Sequence, residues 1–188
     1  MISVVIPVYN EAEEILKCIK SLSNQTCSDF EIIAVDDGST DNTLNILSEF
    51  SITNFQFSIK KQKHQGPACA RNLGAKYAKG VILVFIDADM TFEKDFIKKL
   101  VKPIEEGGAQ GTFTKEEFVS NWGNPLARCW NYNEGIYGKS RIPLNYPNES
   151  PVFRAILKSE FERVKGFDDL GFTDDWTLSR KLGYNAEN

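Results

Sequence analysis

Val81-Ile-Leu-Val-Phe-Ile-Asp-Ala-Asp-Met90 is the stretch on which the fold turns. Six apolar residues, four of them β-branched, run without a polar break and then meet two carboxylates. A continuous run of this kind is the pattern of a strand buried on both faces, and such strands belong to parallel sheets covered by helices. Two other runs match it. Residues 2–8 (ISVVIPV) open the chain, and residues 31–35 (EIIAV) close on Asp36-Asp37-Gly38-Ser39-Thr40-Asp41.

Between these runs the apolar period changes from strand-like to helical. Ile15, Leu16, Ile19 and Leu22 recur at helical spacing, with Asn10 placed to cap that helix. Residues 43–50 read as a short helix and 55–60 as a more exposed strand. Gly66-Pro67 opens a helix through residue 78 that Gly80 stops, and Phe92, Phe96, Ile97, Leu100 and Ile104 mark one face of another. Strands alternating with helices predict an α/β fold, a mostly parallel sheet flanked by helices. Beyond residue 107 the pattern loosens into a strand at 109–114, a helix at 125–136, a proline-bearing loop at 138–151, a strand at 153–157, and helices at 159–164 and 176–182.

The chain has 188 residues, enough for one domain with a core and short for two. Its net charge of −4 excludes the basic face that a nucleic-acid groove requires. Cys18, Cys27, Cys69 and Cys129 show no CxxC or other ligand spacing, so reduced thiols and a cytoplasmic setting are expected. With a strand-like run at the start, no signal peptide is expected, and no apolar stretch is long enough to span a bilayer.

Carboxylates beyond buried parallel strands sit where open α/β sheets bind ligands. A lone strand-end Asp commonly just caps the next helix, but Asp36-Asp37 and Asp87-x-Asp89 put acids on two strands. Asp87 and Asp89 at i and i+2 can share Mg²⁺ or Mn²⁺ and leave coordination positions for diphosphate oxygens, charge that a leaving nucleoside diphosphate needs neutralised. The sequence has neither GxGxxG nor a P-loop, which removes dinucleotide oxidoreductases and NTPases.

Taken together, VVIPVYNE (4–11), SLSNQT (21–26), EIIAVDDGSTDNT (31–43), GPACARNLGAKYAKG (66–80), VILVFIDADM (81–90), GFDD and TDDWTLSRKLGY resemble family 2 glycosyltransferases of the inverting GT-A type over essentially the whole chain. That resemblance implies a single GT-A domain, with residues 1–106 binding a nucleotide-sugar and 107–188 an acceptor. Pro7, Tyr9 and Glu11 would line the nucleotide pocket, and Asp37 would face the base edge of UDP or GDP. Arg71 would support the donor, Asp87 would contact ribose or metal, and Asp89 would bind the metal. Asp175, in the Asp174-Asp175 pair, would be the general base for an acceptor hydroxyl on a glycan or lipid-linked glycan. Relatives usually continue past the position of Gly183-Tyr184, often into membrane segments. The expectation is therefore a truncated or minimal form whose membrane association, at the cytoplasmic face, rests on a segment outside this chain.

Two other readings stand beside this one. Dolichol-phosphate mannose synthases are similar around Asp87-Ala88-Asp89 but carry Gln where this chain has Thr91; a phosphate acceptor would call on Arg141 or Arg154 instead of a base. Asp87-Ala88-Asp89-Met90-Thr91 also fits the nucleophile loop of haloacid-dehalogenase-type phosphatases, although there the motif follows the first core strand. His64, the one histidine, reads as an exposed loop residue rather than a ligand. Trp122, Trp130, Tyr132 and Tyr137 read as core more readily than as a sugar-stacking wall.

Overall fold

A computed structural model of the chain describes residues 1–50, 56–170 and 175–188. Among these residues eight strands form one sheet in the order β3-β2-β1-β4-β7-β5-β8-β6. The three buried runs become β1 (Ile2–Val8), β2 (Phe30–Asp36) and β4 (Ile82–Phe85), adjacent and parallel, with β3 (Gln56–Lys61) parallel at the edge beyond β2. β7 (Ala155–Leu157) pairs antiparallel with β4. β5 (Gly111–Thr112), β6 (Glu149–Ser150) and β8 (Ala186–Glu187) complete the far side.

Alternate side chains of the strands feed two separate cores, as a sheet covered on both faces requires. Val4, Ile6 and Val8 pack with α1 (Ile15–Ser23), α2 (Thr43–Glu49) and α4 (Phe96–Glu105). Val5, Ile33, Val35, Leu83 and Phe85 pack with α3 (Pro67–Tyr77), α6 (Lys158–Arg163) and α7 (Thr177–Leu182). Among the described residues no helix is long and apolar enough to cross a membrane. All four cysteines are free thiols.

The chain runs outward from β1 to β2 to β3, then returns to β1's other side for β4, so the strand order reverses between β1 and β4. A crevice opens at such a switch point. Pro7 lies there for a physical reason. The last bond of the β1–β4 ladder runs from the Ile86 N–H to Val5 O (3.2 Å), and two residues on, Pro7 faces the same side where β4 has already turned away. A residue with no N–H forfeits no ladder bond at that position.

Several expectations need correction. Asn10 does not cap α1, which starts five residues later with Glu14 at its N-cap. Instead its Oδ1 accepts from Thr40 N (2.8 Å) and its own N–H donates to Ser39 Oγ (3.0 Å), because a short polar side chain competes for nearby backbone groups. Gly80 is not the stop of α3, which ends at Tyr77; a Cβ there would lie 2.6 Å from Ser3 N, so the residue allows close approach to β1. α5 (Pro125–Asn133) is shorter than the predicted 125–136, since the chain turns back and Ile136 N–H bonds to Asn131 O (2.8 Å). The strand predicted at 109–114 shrinks to β5, and Phe55 of the predicted 55–60 strand lies outside the described residues.

Candidate functional site

The loops after β1 and β2 are stitched together at the carboxyl edge of the sheet. Besides the two Asn10 bonds, Glu11 N donates to Thr43 Oγ1 (2.8 Å) and Ala12 N to Asp41 Oδ2 (3.2 Å). This holds Tyr9 and Glu11 beside the end of β2. Asp37 follows β2 and is buried. Its Oδ1 accepts from Gln62 Nε2 (2.7 Å) and Gln65 N (2.9 Å), and its Oδ2 from Gly66 N (2.9 Å).

His64 is the exposed loop residue expected, and it also contacts this site. Its ring stacks on Tyr9 (centroids 4.0 Å apart, 25° between planes), and its Nδ1 lies 2.9 Å from Asp37 Oδ2. Gly38, at φ +79°, makes the approach feasible: a Cβ there would lie 2.9 Å from His64 N. Spacing alone gave no sign of this, because His64 reaches Tyr9 and Asp37 only through the β2–β3 pairing.

Across the crevice, a row of ion pairs links α3, the ends of β4 and β7, the start of α7 and the Glu117 loop. Arg71, buried on α3, donates through Nη2 to Asp87 Oδ1 (3.0 Å) and through Nη1 to Asp175 Oδ1 (2.6 Å). Arg154, just before β7, donates through Nη1 to the other Asp87 oxygen (3.0 Å) and through Nη2 to Glu117 Oε1 (3.1 Å). The antiparallel β4–β7 pairing sets this geometry, since Phe85 N donates to Arg154 O (2.8 Å) and so places that residue beside the end of β4. Burial alone would raise the Asp87 carboxyl, but Arg154 and Arg71 outweigh it and hold it below the usual carboxylate range. Asp175 reaches Arg71 because α7 buries Leu178 on the same sheet face as α3. Its neighbour Asp174 lies outside the described residues.

Asp89 is exposed and makes no hydrogen bond or ion pair among the described residues. Burial, followed by the charge of Asp89 and then of Glu14, Asp41 and Asp87, raises the Glu11 carboxyl. Hard oxygen ligands in a negative field suit a divalent cation, so Asp89 fits one as a direct ligand. Asp87 keeps one oxygen on each guanidinium and can contribute only its remaining lone pairs. No three His, Cys, Asp or Glu side chains among the described residues converge into a ligand set of their own, which leaves the rest of a shell to water and donor oxygens.

Beside Asp87 and Asp89 lies an open cleft of about 1160 Å³, also lined by Lys115, Glu117, Phe118, Arg141 and Arg154. Of the four aromatics, Tyr132 stacks with Tyr137 (5.9 Å) and meets Trp122 edge-on (6.2 Å). Tyr132 and Tyr137 are exposed, so they are not core; the side chain of Trp130 lies outside the described residues.

The comparisons with known proteins point one way. The family model described as Glycosyl transferase family 2 matches residues 3–165. Glycosyltransferase GlyG of Streptococcus pneumoniae is 28% identical over 204 residues, covering 96% of this chain and 64% of that protein. Glycosyltransferase AglE of Haloferax volcanii is 39% identical over 145 residues, 75% of this chain and 47% of its own length. This chain therefore spans less than two thirds of either relative. Among solved structures, S. aureus TarS 1–349 superposes with a TM-score of 0.74 at 22% identity, covering 99% of this chain and 56% of that one. Mannosyltransferase PcManGT from Pyrobaculum calidifontis, in complex with GDP-Man and Mn²⁺, gives 0.75 at 24% identity, covering 100% and 54%. The fold is thus that of the GT-A glycosyltransferases, and with its family model matched over most of its length this chain belongs to glycosyl transferase family 2.

Proposed function

We propose that the chain carries the donor-binding and catalytic residues of an inverting glycosyltransferase that moves a sugar from a UDP- or GDP-linked donor to an acceptor hydroxyl on a glycan or lipid-linked glycan. One observation carries this reading: Arg71 joins Asp87 to Asp175 at the switch point, between the Tyr9–Asp37 pair and the open cleft. The base lies against Tyr9 and Asp37, with Pro7 and Glu11 lining the same pocket. Arg71 holds a fixed positive charge beside the donor phosphates. Asp89, assisted by Asp87, would hold Mg²⁺ or Mn²⁺, which when bound neutralises charge on the leaving diphosphate. The acceptor enters from the cleft, Asp175 takes the hydroxyl proton, and a single displacement at the anomeric carbon inverts its configuration.

A phosphate acceptor would need no base and would rely on Arg141 or Arg154. Arg154 is already bound on two sides by Asp87 and Glu117, which supports the hydroxyl reading.

Calorimetry tests the donor half. UDP or GDP should bind more tightly with Mn²⁺ or Mg²⁺ than without. Asp89→Ala should remove most of that enhancement, and Asp37→Ala should weaken binding even without metal. Equal affinity of the wild type with and without metal would sink the metal assignment. Transfer assays pairing UDP- and GDP-sugars with sugar and polyprenyl-phosphate acceptors then identify the acceptor.

A further inference from the structure

Four groups surround the Asp37 carboxylate. Two are backbone N–H groups, those of Gln65 and Gly66, which cannot leave without unmaking the turn into α3. A third is Gln62 Nε2, while His64 Nδ1 hydrogen-bonds the Asp37 carbonyl oxygen (3.2 Å) and lies 2.9 Å from Oδ2. His64 does a second thing, covering one face of the half-exposed Tyr9 ring. A flat nitrogen heterocycle that stacks on Tyr9 and donates an N–H to Asp37 is thus already present, and it comes from the chain itself.

We propose that His64 is a built-in surrogate for the nucleobase: its imidazole fills the Tyr9–Asp37 seat in the free protein and leaves when a nucleotide binds. This rests on the donor reading above. The exchange is one for one. The incoming base replaces the imidazole on Tyr9, and its N–H takes the place that Nδ1 holds beside Asp37, whose carboxylate keeps its three other donors throughout. Gln62 and the two backbone donors stay in place. His64, more than half exposed, can swing into solvent without disturbing the core. It lowers affinity for every base alike and keeps Tyr9 and Asp37 in the geometry a base needs.

Because His64 is the sole histidine, its imidazole gives a single set of NMR signals in untagged protein. In the free protein those signals should be displaced by the Tyr9 ring current, and Tyr9→Ala should remove the displacement. Titration with UDP or GDP should return them to the position of an unstacked imidazole, in step with saturation measured by calorimetry. His64→Ala should tighten both nucleotides by about 3- to 10-fold, the expected loss of one stacked, hydrogen-bonded competitor. His64→Phe, which stacks but donates nothing, should fall between the two. Weaker binding by His64→Ala, or an unmoved imidazole signal at nucleotide saturation, would overturn the surrogate role and leave the donor reading intact. No binding heat from either nucleotide would overturn both.

Discussion

Residues 1–106 and 107–188 share one sheet yet are built on different terms. The first part has four strands of four to seven residues, and three of them are almost wholly buried. The second has, among the described residues, four strands of two or three residues, and its loops are tied by side chains. Lys115 Nζ, for example, donates to Tyr146 O (2.6 Å) and Asn148 Oδ1 (2.7 Å), and Asn131 Nδ2 donates to Gly138 O (2.7 Å) and Ser140 O (2.8 Å). Large exposed apolar side chains, such as Phe118, Leu126, Tyr137 and Leu144, gather in the second part. A continuous core can carry a rigid strand-end site, whereas short strands leave a surface free to be shaped to a partner molecule.

Four substitutions can break or sharpen that contrast. The largest effect should come from Ile33→Ala in β2, a fully buried side chain on the α3 face of the sheet, at about 3–4 kcal/mol of stability by urea unfolding. A loss under about 1 kcal/mol would show that the first part is not the rigid one. Next, Asp175→Asn should cost on the order of 10²-fold in turnover with donor affinity nearly unchanged. A mild effect on turnover would instead favour a phosphate acceptor.

Arg154→Met removes the guanidinium that ties β7 and Glu117 to Asp87. With Asp87 still partly solvated, about 1–2 kcal/mol of stability should go, and the combined Arg154→Met, Glu117→Gln variant should lose less than the sum of the single losses. Strict additivity would mean that Arg154 and Glu117 are not energetically coupled. Smallest of all, Tyr137→Ala on the exposed aromatic surface should change stability by less than about 0.5 kcal/mol. A larger loss would place Tyr137 in a packed core after all.

The contrast also explains what could be read from the residues. β1, β2 and β4 announced themselves because burial on both faces demands unbroken β-branched runs, and Asp37, Asp87 and Asp89 stand out as candidates because such strands end in a crevice. Strands of two residues carry no period, so β5 was overdrawn as 109–114 and β6 and β8 left no trace. Asn10 misled because one short amide can cap a helix or bridge two loops, and only the tertiary partner decides which. Arg154 was visible as a cation, but its place on Asp87 depends on the register Val84↔Ala155, which no local pattern encodes.

The stitching between the β1 and β2 loops has a consequence for amide hydrogen exchange. The N–H groups of Asn10, Glu11, Ala12 and Thr40 all donate to side-chain oxygens of the facing loop, in a segment that has no regular secondary structure. Protection should therefore not stop at Val8 and Asp36, where the strands end, but run on through these loops, and the four amides should open together as one small unit. Replacing Asn10 with Ala should then speed exchange at Thr40, thirty residues away in sequence, while leaving the strand amides of β1 and β2 slow.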